Sequence, residues 1–292
     1  MTRRAPKHSV AEESGDPEPP GAAFYVYCIG EREQLSALFG EESLPASVED
    51  AATLELVEAG HLAAVVSAVP LSDYGEGAIE QRLADPAWTA ARALRHQQAV
   101  EFFARVSDIV PLRFGTIYLT RARVRKMLEE NGEALRTVVE RLRGREEWGV
   151  NVHADRAVLK EKIVEASERL REMSRQAEAA APGQAYLLRK KIETLRADES
   201  RAEMKRVALE VESELGAAAE GSARLRVFKD ESSEGGDAVA AKLAFLVARE
   251  RFEEFRATAE RIAARNARHG FRFELTGPWP AYNFATVEKS DD

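Results

Sequence analysis

The hydrophobic and polar positions in the first part of the chain predict a small antiparallel sheet. An apolar run at 24–29 predicts the first strand, and a continuous apolar run at 62–69 predicts a buried strand that Pro70 stops. Residues 54–57 predict a strand just before it, so that 58–61 forms a tight hairpin turn. A strand that is apolar at every position is buried on both faces, so helices must cover this sheet.

Helical spacing dominates the stretches that follow. Residues 79–106 predict a helix that Asp85-Pro86 breaks into two pieces, because proline cannot continue a helix. Apolar residues three and four positions apart predict another helix over 120–143, lying across the sheet, with Thr120 as its N-cap.

The segment between these helices, 109–118, alternates apolar and other side chains at the period of a strand, with Pro111 at its entry. Gly115 is expected inside this strand, and Arg113 places a permanently charged fork beside it. One interpretation is structural: Arg113 pairs with a carboxylate at a sheet edge, and Gly115 marks a bulge. A functional interpretation of the same residues depends on the family resemblance given below.

The second half of the chain begins with a strand at 148–152 and continues as two long helices on either side of Pro182-Gly183. Over about 156–216 the apolar positions step by three and four, which is typical of helices packed along one seam, so an antiparallel helical hairpin is predicted. A helix precedes the last of three further predicted strands, which lie at 225–227, 243–247 and 271–275.

The predicted fold class is α+β with two domains, since 292 residues exceed the usual size of one domain. From Trp148 onward the element order is that of a ferredoxin-like βαββαβ domain with the helical hairpin inserted, and the front half is a small α+β domain. The predicted limits are a disordered polar extension at 1–22, an N-terminal domain at 23–145, a C-terminal domain at 146–285 and a disordered tail at 286–292.

Composition narrows the classes of partner. The formal charge is −8 and the acidic excess lies in the first hundred residues, so nucleic acid is not an expected partner. No window approaches the ~20 apolar residues that a membrane span needs, so none is predicted. The single cysteine, Cys28, is expected as a small buried hydrophobe, and a chain without a disulfide framework fits a reducing cytoplasm.

The titratable residues give no catalytic constellation. The five histidines fall in separate elements without metal-ligand spacing, and His96 is interpreted as a satisfied or exposed histidine rather than a base. Acidic neighbours such as Glu146 and Glu147 are interpreted as solvated faces. The sequence therefore predicts a protein that is not an enzyme and that carries no cofactor or metal.

Two surfaces are suited to association. The segment that follows the last strand is stiffened by Pro278 and Pro280 and carries Trp279, Tyr282 and Phe284, whose rings supply contact area at low entropic cost. The alternative is that this segment folds back to cover its own domain. The helical hairpin has the same two interpretations, and its basic run at 189–191 is interpreted mainly as a solvated face.

Five stretches, in order, resemble the gas vesicle GvpF/GvpL family. The run VPLRFGT at 110–116 is similar to the signature of that family, and it is accompanied by FYVYC at 24–28, EWGV at 147–150, GQAYLLRKK at 183–191 and GPWPAYNF at 277–284. The resemblance covers about residues 24–285, and the first 22 residues lie outside it.

The resemblance implies a non-enzymatic accessory or minor structural protein of gas vesicle assembly, cytoplasmic and associated with gas vesicles. Its implied partners are the hydrophobic shell protein and other accessory proteins, bound during nucleation or growth. The partner-binding residues that the motif matches imply are Leu112, Arg113, Phe114, Gly115, Trp279, Tyr282 and Phe284. An alternative function is a ligand-binding sensor or enzyme built on tandem ferredoxin-like domains.

Overall fold

A computed structural model describes residues 19–41, 43–227 and 237–286 of the chain. Most of the two segments predicted to be disordered, 1–22 and 286–292, falls outside these ranges. The described residues form a mixed α+β structure with two antiparallel sheets, as the sequence predicts. The chain divides into two compact units between Val139 and Glu140. The domain limits given above remain predictions.

In the part of the first unit that the structure describes, there are five strands and six helices. The strands are β1 (Ala22–Glu31), β2 (Leu54–Ala59), β3 (Leu62–Pro70), β4 (Ile109–Pro111) and β5 (Ile117–Tyr118). The helices are α1 (Arg32–Glu41), α2 (Leu71–Tyr74), α3 (Ala78–Leu83), α4 (Pro86–Val106), α5 (Arg121–Glu130) and α6 (Gly132–Leu142), the last of which contains the division between the units.

Strand β1 is the centre of the first sheet, whose order is β2-β3-β1-β4, with β5 also paired to β1. Every residue of β1 between its two ends is buried, so this strand is covered on both faces. The predicted hairpin of β2 and β3 is confirmed, with Gly60 at φ +57° in the turn.

Two helices of the first unit begin at capping residues, of which the sequence predicts Thr120 as a cap and Asp85 only as part of a helix break. Asp85 accepts hydrogen bonds from the backbone at the start of α4, and Thr120 accepts one from Arg123 N at the start of α5, as predicted. The single helix predicted over 120–143 is wrong in one respect: it ends at Asn131, and α6 begins anew at Gly132. Asparagine and glycine in sequence are poor residues for a helix interior.

The continuous strand predicted over 109–118 is also wrong. Strands β4 and β5 both pair with β1, but residues 112–116 leave the sheet between them as a loop. Gly115 has φ +83°, a left-handed conformation outside the β region. The alternation of side chains therefore arises from a looped-out segment and not from a pleated one.

The described residues of the second unit form four strands, four α-helices and one short 3-10 helix. The strands are β6 (Arg145–Asp155), β7 (Gly221–Arg224), β8 (Asp237–Ala248) and β9 (Phe271–Trp279). The helices are α7 (Arg156–Ala166), α8 (Glu168–Ala179), α9 (Pro182–Ala217) and α10 (Phe252–Ala267), with a short 3-10 helix at Arg249–Arg251.

The second sheet has the order β7-β8-β6-β9, and each pair of neighbours is antiparallel. Two predicted positions need correction. Strand β7 ends at Arg224, before the 225–227 segment predicted as a strand. Strand β9 continues through Trp279, so the two residues that precede the tail belong to the sheet.

The predicted helical hairpin is present, but its first arm consists of two helices. Ser167 leaves helical geometry with ψ 119° and caps α8 by accepting a hydrogen bond from Leu170 N. Its hydroxyl also donates to Glu199 Oε2 on α9 at 2.8 Å, which ties the break to the second arm. The predicted seam forms much of the hydrophobic core, including the fully buried residues Leu159, Ile163, Leu170, Val211 and Leu215.

Candidate partner-binding surfaces

The 112–116 loop is fixed at both ends to β1. Leu112 N donates to Tyr27 O and Val26 N donates to Thr116 O, each at 2.9 Å, so the pairing of the strands resumes immediately on either side of the loop. Within the loop, the hydroxyl of Thr116 donates to Arg113 O at 2.8 Å. These bonds define a closed turn whose backbone has little freedom to rearrange.

A chain of hydrogen bonds to two buried side chains holds the inner side of the same loop. Gly115 N donates to the hydroxyl of Tyr25 at 2.9 Å, and that hydroxyl lies 3.0 Å from His96 Nδ1 on α4. The imidazole also hydrogen-bonds the backbone of Leu112. A neutral histidine donates from one ring nitrogen and accepts at the other, so His96 accepts from Tyr25 and donates to the carbonyl of Leu112.

His96 is suited to this role because it is neutral. Its side chain is buried, and burial lowers its pKa to about 4, although the hydrogen bond to Leu112 acts in the opposite direction. The imidazole stacks on Tyr27 with ring centroids 5.9 Å apart. The interpretation of His96 as a satisfied histidine is confirmed, and its role with Tyr25 in holding the loop is one that the sequence did not predict.

The four predicted contact residues of the loop lie on two sides. Phe114 points inward, with its ring centroid 6.2 Å from that of Tyr25 and 5.8 Å from that of His96. Leu112 is also half-buried, whereas Arg113 and Gly115 are exposed. Among the described residues no carboxylate forms an ion pair with Arg113, so the predicted pairing at the sheet edge is wrong.

The 280–286 tail folds back onto its own unit. Asn283 donates to the carboxylate of Glu147 twice, from its backbone N at 2.9 Å and from Nδ2 at 2.5 Å. Arg141 donates to the carbonyls of Phe284 and Thr286 at 2.5 and 3.0 Å. Of the two interpretations of this segment, folding back describes Tyr282 and Phe284, which are half-buried.

Glu147 is buried, and its interpretation as a solvated residue is wrong. Only 5% of its surface is exposed, and burial raises its pKa, while the two hydrogen bonds from Asn283 lower it. The register of β6 and β9 shifts between Glu147 and Gly149, which turns the carboxylate toward the tail. Strand alternation alone does not predict this position, because a bulge changes the face.

Trp279 is the exposed aromatic residue of this region. Its surface is 43% exposed, and its indole N–H donates to Thr276 Oγ1 at 3.2 Å. The ring nitrogen and the threonine hydroxyl both approach Gly149, where an added Cβ would lie 2.6 Å from Thr276 Oγ1. Glycine is therefore required at this position of β6, because any side chain would displace the threonine.

Four of the five matched stretches come together as two clusters. Residues 24–28 and 110–116 meet through β1 and its pairing with β4 and β5. Residues 147–150 and 277–284 meet through the pairing of β6 with β9 and through the bonds between Glu147 and Asn283. The fifth stretch, 183–191, begins α9 at the turn of the hairpin, where Tyr186 and Leu187 are each 65% exposed.

Two other kinds of site, a metal centre and a membrane-spanning helix, are not seen in the part of the chain that the structure describes. Within the described ranges, no group of three or more His, Cys, Asp or Glu side chains is arranged to hold a metal ion. None of the helices in the same ranges is both long and apolar enough to cross a membrane.

Known proteins were compared with the chain at the levels of family, sequence and structure. The family described as "Gas vesicle synthesis protein GvpL/GvpF" matches residues 23–286. The chain is 31% identical over 240 residues to gas vesicle protein L of Streptomyces sp. (strain CB03234), covering 81% of this chain and 84% of that protein.

Two crystal structures of GvpF proteins share the fold. GvpF from Anabaena sp. PCC7120 superimposes with a TM-score of 0.64 at 16% identity, covering 92% of this chain and all of that one. GvpF from Microcystis aeruginosa gives a TM-score of 0.57 at 16% identity, covering 91% of this chain and 99% of that one. By its family match over nearly the whole described chain, this protein belongs to the gas vesicle synthesis protein GvpL/GvpF family.

Proposed function

We propose that this protein is an accessory or minor structural component of gas vesicle assembly that works in the cytoplasm at the gas vesicle. In this proposal it binds the hydrophobic shell protein, and other accessory proteins, while the shell nucleates or grows. The observation that carries the proposal is the family match over residues 23–286, because the GvpL/GvpF family takes part in gas vesicle formation.

The physical need for such a protein follows from the behaviour of apolar surfaces. A shell subunit that exposes a large apolar surface before it polymerises would aggregate at random. A partner that covers this surface, or that presents the subunit to a growing edge, prevents that outcome without making or breaking a covalent bond. We therefore propose a binding role without catalysis, which agrees with a family that is not known for enzymes.

The two clusters of matched stretches are the proposed contact surfaces. In the first, Arg113 and Gly115 face solvent while Leu112 and Phe114 hold the loop. In the second, Trp279 is exposed while Tyr282 and Phe284 hold the tail against its unit. The proposal assigns direct contact to the exposed residues and assigns to the others the shape of the surface.

The fold of the second unit is proposed to be ferredoxin-like with an inserted helical hairpin. In support, the elements follow the chain as strand, helices, strand, strand, helix and strand, and the sheet order is β7-β8-β6-β9. Each strand is antiparallel to its neighbours, as expected when two split βαβ units interleave.

A sensor or enzyme remains the alternative, and one feature favours it. A cleft of about 660 Å³ in the first unit has an apolar floor that includes Leu62 and Leu128, and charged walls that include Arg32, Glu129 and Arg136. Such a cleft is large enough for a small molecule. A saturable thermal shift with a nucleotide or an amino acid would favour this alternative.

A pull-down with the shell protein tests the main proposal. Arg113→Ala and Trp279→Ala should each reduce capture of co-expressed shell protein without lowering the melting temperature. Arg123→Ala is a control for the first, because Arg123 is exposed in the same unit, and Leu209→Ala is a control for the second, because Leu209 is 48% exposed on α9. If the wild-type protein captures neither the shell protein nor another gas vesicle protein, the proposal is wrong.

A further inference from the structure

The structure points to a specific chemistry at the first surface. We propose that Arg113 binds a carboxylate of the partner protein, and that Tyr25 and His96 are positioning residues that hold the loop so that the guanidinium faces outward. This inference rests on the proposed function, because it names the chemical group that one of its two contact surfaces recognises.

Several arginines of the first unit have acidic partners, whereas Arg113, like Arg105 and Arg123, has none among the described residues, and of these three only Arg113 lies on the 112–116 loop. Arg92 pairs with Glu49, Arg95 pairs with Asp50 and Arg121 pairs with Glu55. Arg113 is exposed, and none of the acidic side chains in the described ranges forms an ion pair with it. Its planar fork is therefore available, and a carboxylate is the protein group that such a fork binds through two parallel hydrogen bonds.

The loop that carries Arg113 is organised before any partner arrives. Its two ends are hydrogen-bonded to β1, and its inner side is joined to α4 through Tyr25 and His96. Buried polar groups are costly unless they are hydrogen-bonded, and Tyr25 and His96 meet this requirement by bonding to each other and to the loop. A fixed loop loses less entropy on binding, so the same contact gives higher affinity.

The two sides of the loop have separate tasks. Phe114 packs inward against Tyr25 and His96, so the next residue back along the chain, Arg113, projects outward. Gly115 is exposed on the other side of Phe114, and a Cβ added there would meet no atom within 4 Å. The space at Gly115 is therefore open, and a partner backbone can approach the loop closely there.

The charge of the chain favours a protein carboxylate over a polyanion. Arginine also binds phosphate, but the formal charge of −8 repels nucleic acids and other extended phosphate polymers. A single exposed arginine on a fixed loop suits one acidic side chain at a defined position. We therefore assign a carboxylate of a protein partner as the bound group.

The first experiment compares substitutions of Arg113 in the full-length protein, with co-expressed shell protein as the probe. Arg113→Gln should reduce capture by about tenfold or more, and Arg113→Lys should reduce it by a smaller factor, since lysine keeps the charge but loses the fork. Arg123→Gln should bind like the wild type. Equal binding by all the Arg113 variants and the wild type overturns the inference and leaves the proposed function intact.

The second experiment changes the partner. In one sample, shell protein whose carboxylates have been converted to amides is mixed with the wild type. In the other, unmodified shell protein is mixed with Arg113→Gln. The two samples should show equally weak binding. The amidated protein should bind Arg113→Gln no more weakly than before, because the contact is already absent. A further loss of the same size in the variant means that other groups bind the carboxylates and overturns the assignment.

The third experiment tests positioning. Tyr25→Phe removes only the hydroxyl that joins Gly115 to His96. In the wild-type background, Tyr25→Phe should reduce binding of the shell protein several-fold. In the Arg113→Gln background it should have no further effect on binding. Its effect on the melting temperature should be the same in both backgrounds. If Tyr25→Phe lowers the melting temperature alone, Tyr25 has only a structural role and the positioning assignment is wrong. If the wild type itself captures no shell protein, the proposed function fails, and this inference with it.

Discussion

The buried groups that hold the 112–116 loop are neutral, whereas the 280–286 tail is held by a carboxylate. Tyr25 and His96 are buried side chains that fix the loop through hydrogen bonds, and burial lowers the pKa of His96 to about 4. Glu147 fixes the tail, and burial raises the pKa of its carboxyl group. Both anchors are buried, yet burial shifts a base and an acid in opposite directions.

Because the pKa values of these two anchors shift in opposite directions, the two surfaces should respond differently to pH. For His96 the folded state resists the proton that the unfolded chain accepts, so its contribution to stability is present above pH 6.5 and is lost as the pH falls toward 4. For Glu147 the folded state retains a proton that the unfolded chain releases, so its contribution is present below pH 4.5 and is lost as the pH rises through the folded pKa. Acid should therefore weaken the loop anchor, whereas the tail anchor should weaken as the pH rises.

The largest expected effect is the loss of stability of the first unit in acid. Between pH 6.5 and pH 4 the free energy of unfolding should fall by about 3 kcal/mol because of His96 alone. Urea unfolding can be followed by Trp88 fluorescence after Trp148→Phe and Trp279→Phe. The same protein with His96→Gln should lack this part of the pH dependence, and identical curves for the two proteins would contradict the assignment.

The second effect concerns the tail. Glu147→Ala leaves the two donors of Asn283 without an acceptor and should lower the free energy of unfolding of the second unit by about 2 kcal/mol. Chymotrypsin should then cleave faster at Tyr282 and Phe284. Glu146→Ala is the matched control: its carboxylate pairs with Arg249 at the surface, and its loss should cost less than about 0.5 kcal/mol. Equal cleavage of the two variants would show that Glu147 does not hold the tail.

The third prediction tests the backbone conformation of Gly115 in the loop. Gly115→Ala should destabilise the first unit by about 1 to 2 kcal/mol, because φ is +83° there although there is room for a Cβ. Gly132→Ala is the control, since that glycine also has open space but no positive φ, and it should not lose stability. Thermal unfolding of both variants measures the difference. A loss that is as large at Gly132 would rule out the conformational explanation.

The smallest effect concerns the outer contact of the tail. Arg141 is exposed, so Arg141→Gln should cost only about 0.5 kcal/mol even though it removes the donors to Phe284 and Thr286. Cleavage by chymotrypsin should increase less than for Glu147→Ala. The reverse order of the two variants would mean that the exposed guanidinium, and not the buried carboxylate, anchors the tail.

Much of the fold could be predicted from local patterns. The hairpin of β2 and β3, the break before Pro86, the cap at Thr120 and the seam of the helical hairpin all depend on neighbours in the chain. The interruptions at Asn131 and Ser167 were missed because each changes only one or two residues of a pattern that otherwise continues.

The positions of the candidate surfaces along the chain could be predicted from the sequence, but the directions of their side chains could not. The matched stretches gave their positions, yet the direction of each side chain depends on partners far along the chain. Tyr25 and His96 are 71 residues apart, and Glu147 and Asn283 are 136 residues apart. The sequence predicts a strand for the loop because its side chains alternate between apolar and other types. Phe114 does point inward, but it lies in a loop outside the sheet, where such alternation does not indicate a strand.

The length of α9 separates its exposed start from its buried end. Leu215 is fully buried in the core, whereas Tyr186 is exposed near the start of the same 36-residue helix. At 1.5 Å per residue the two are separated by roughly 43 Å along the helix axis. The helix therefore carries its exposed start well away from the core that encloses Leu215.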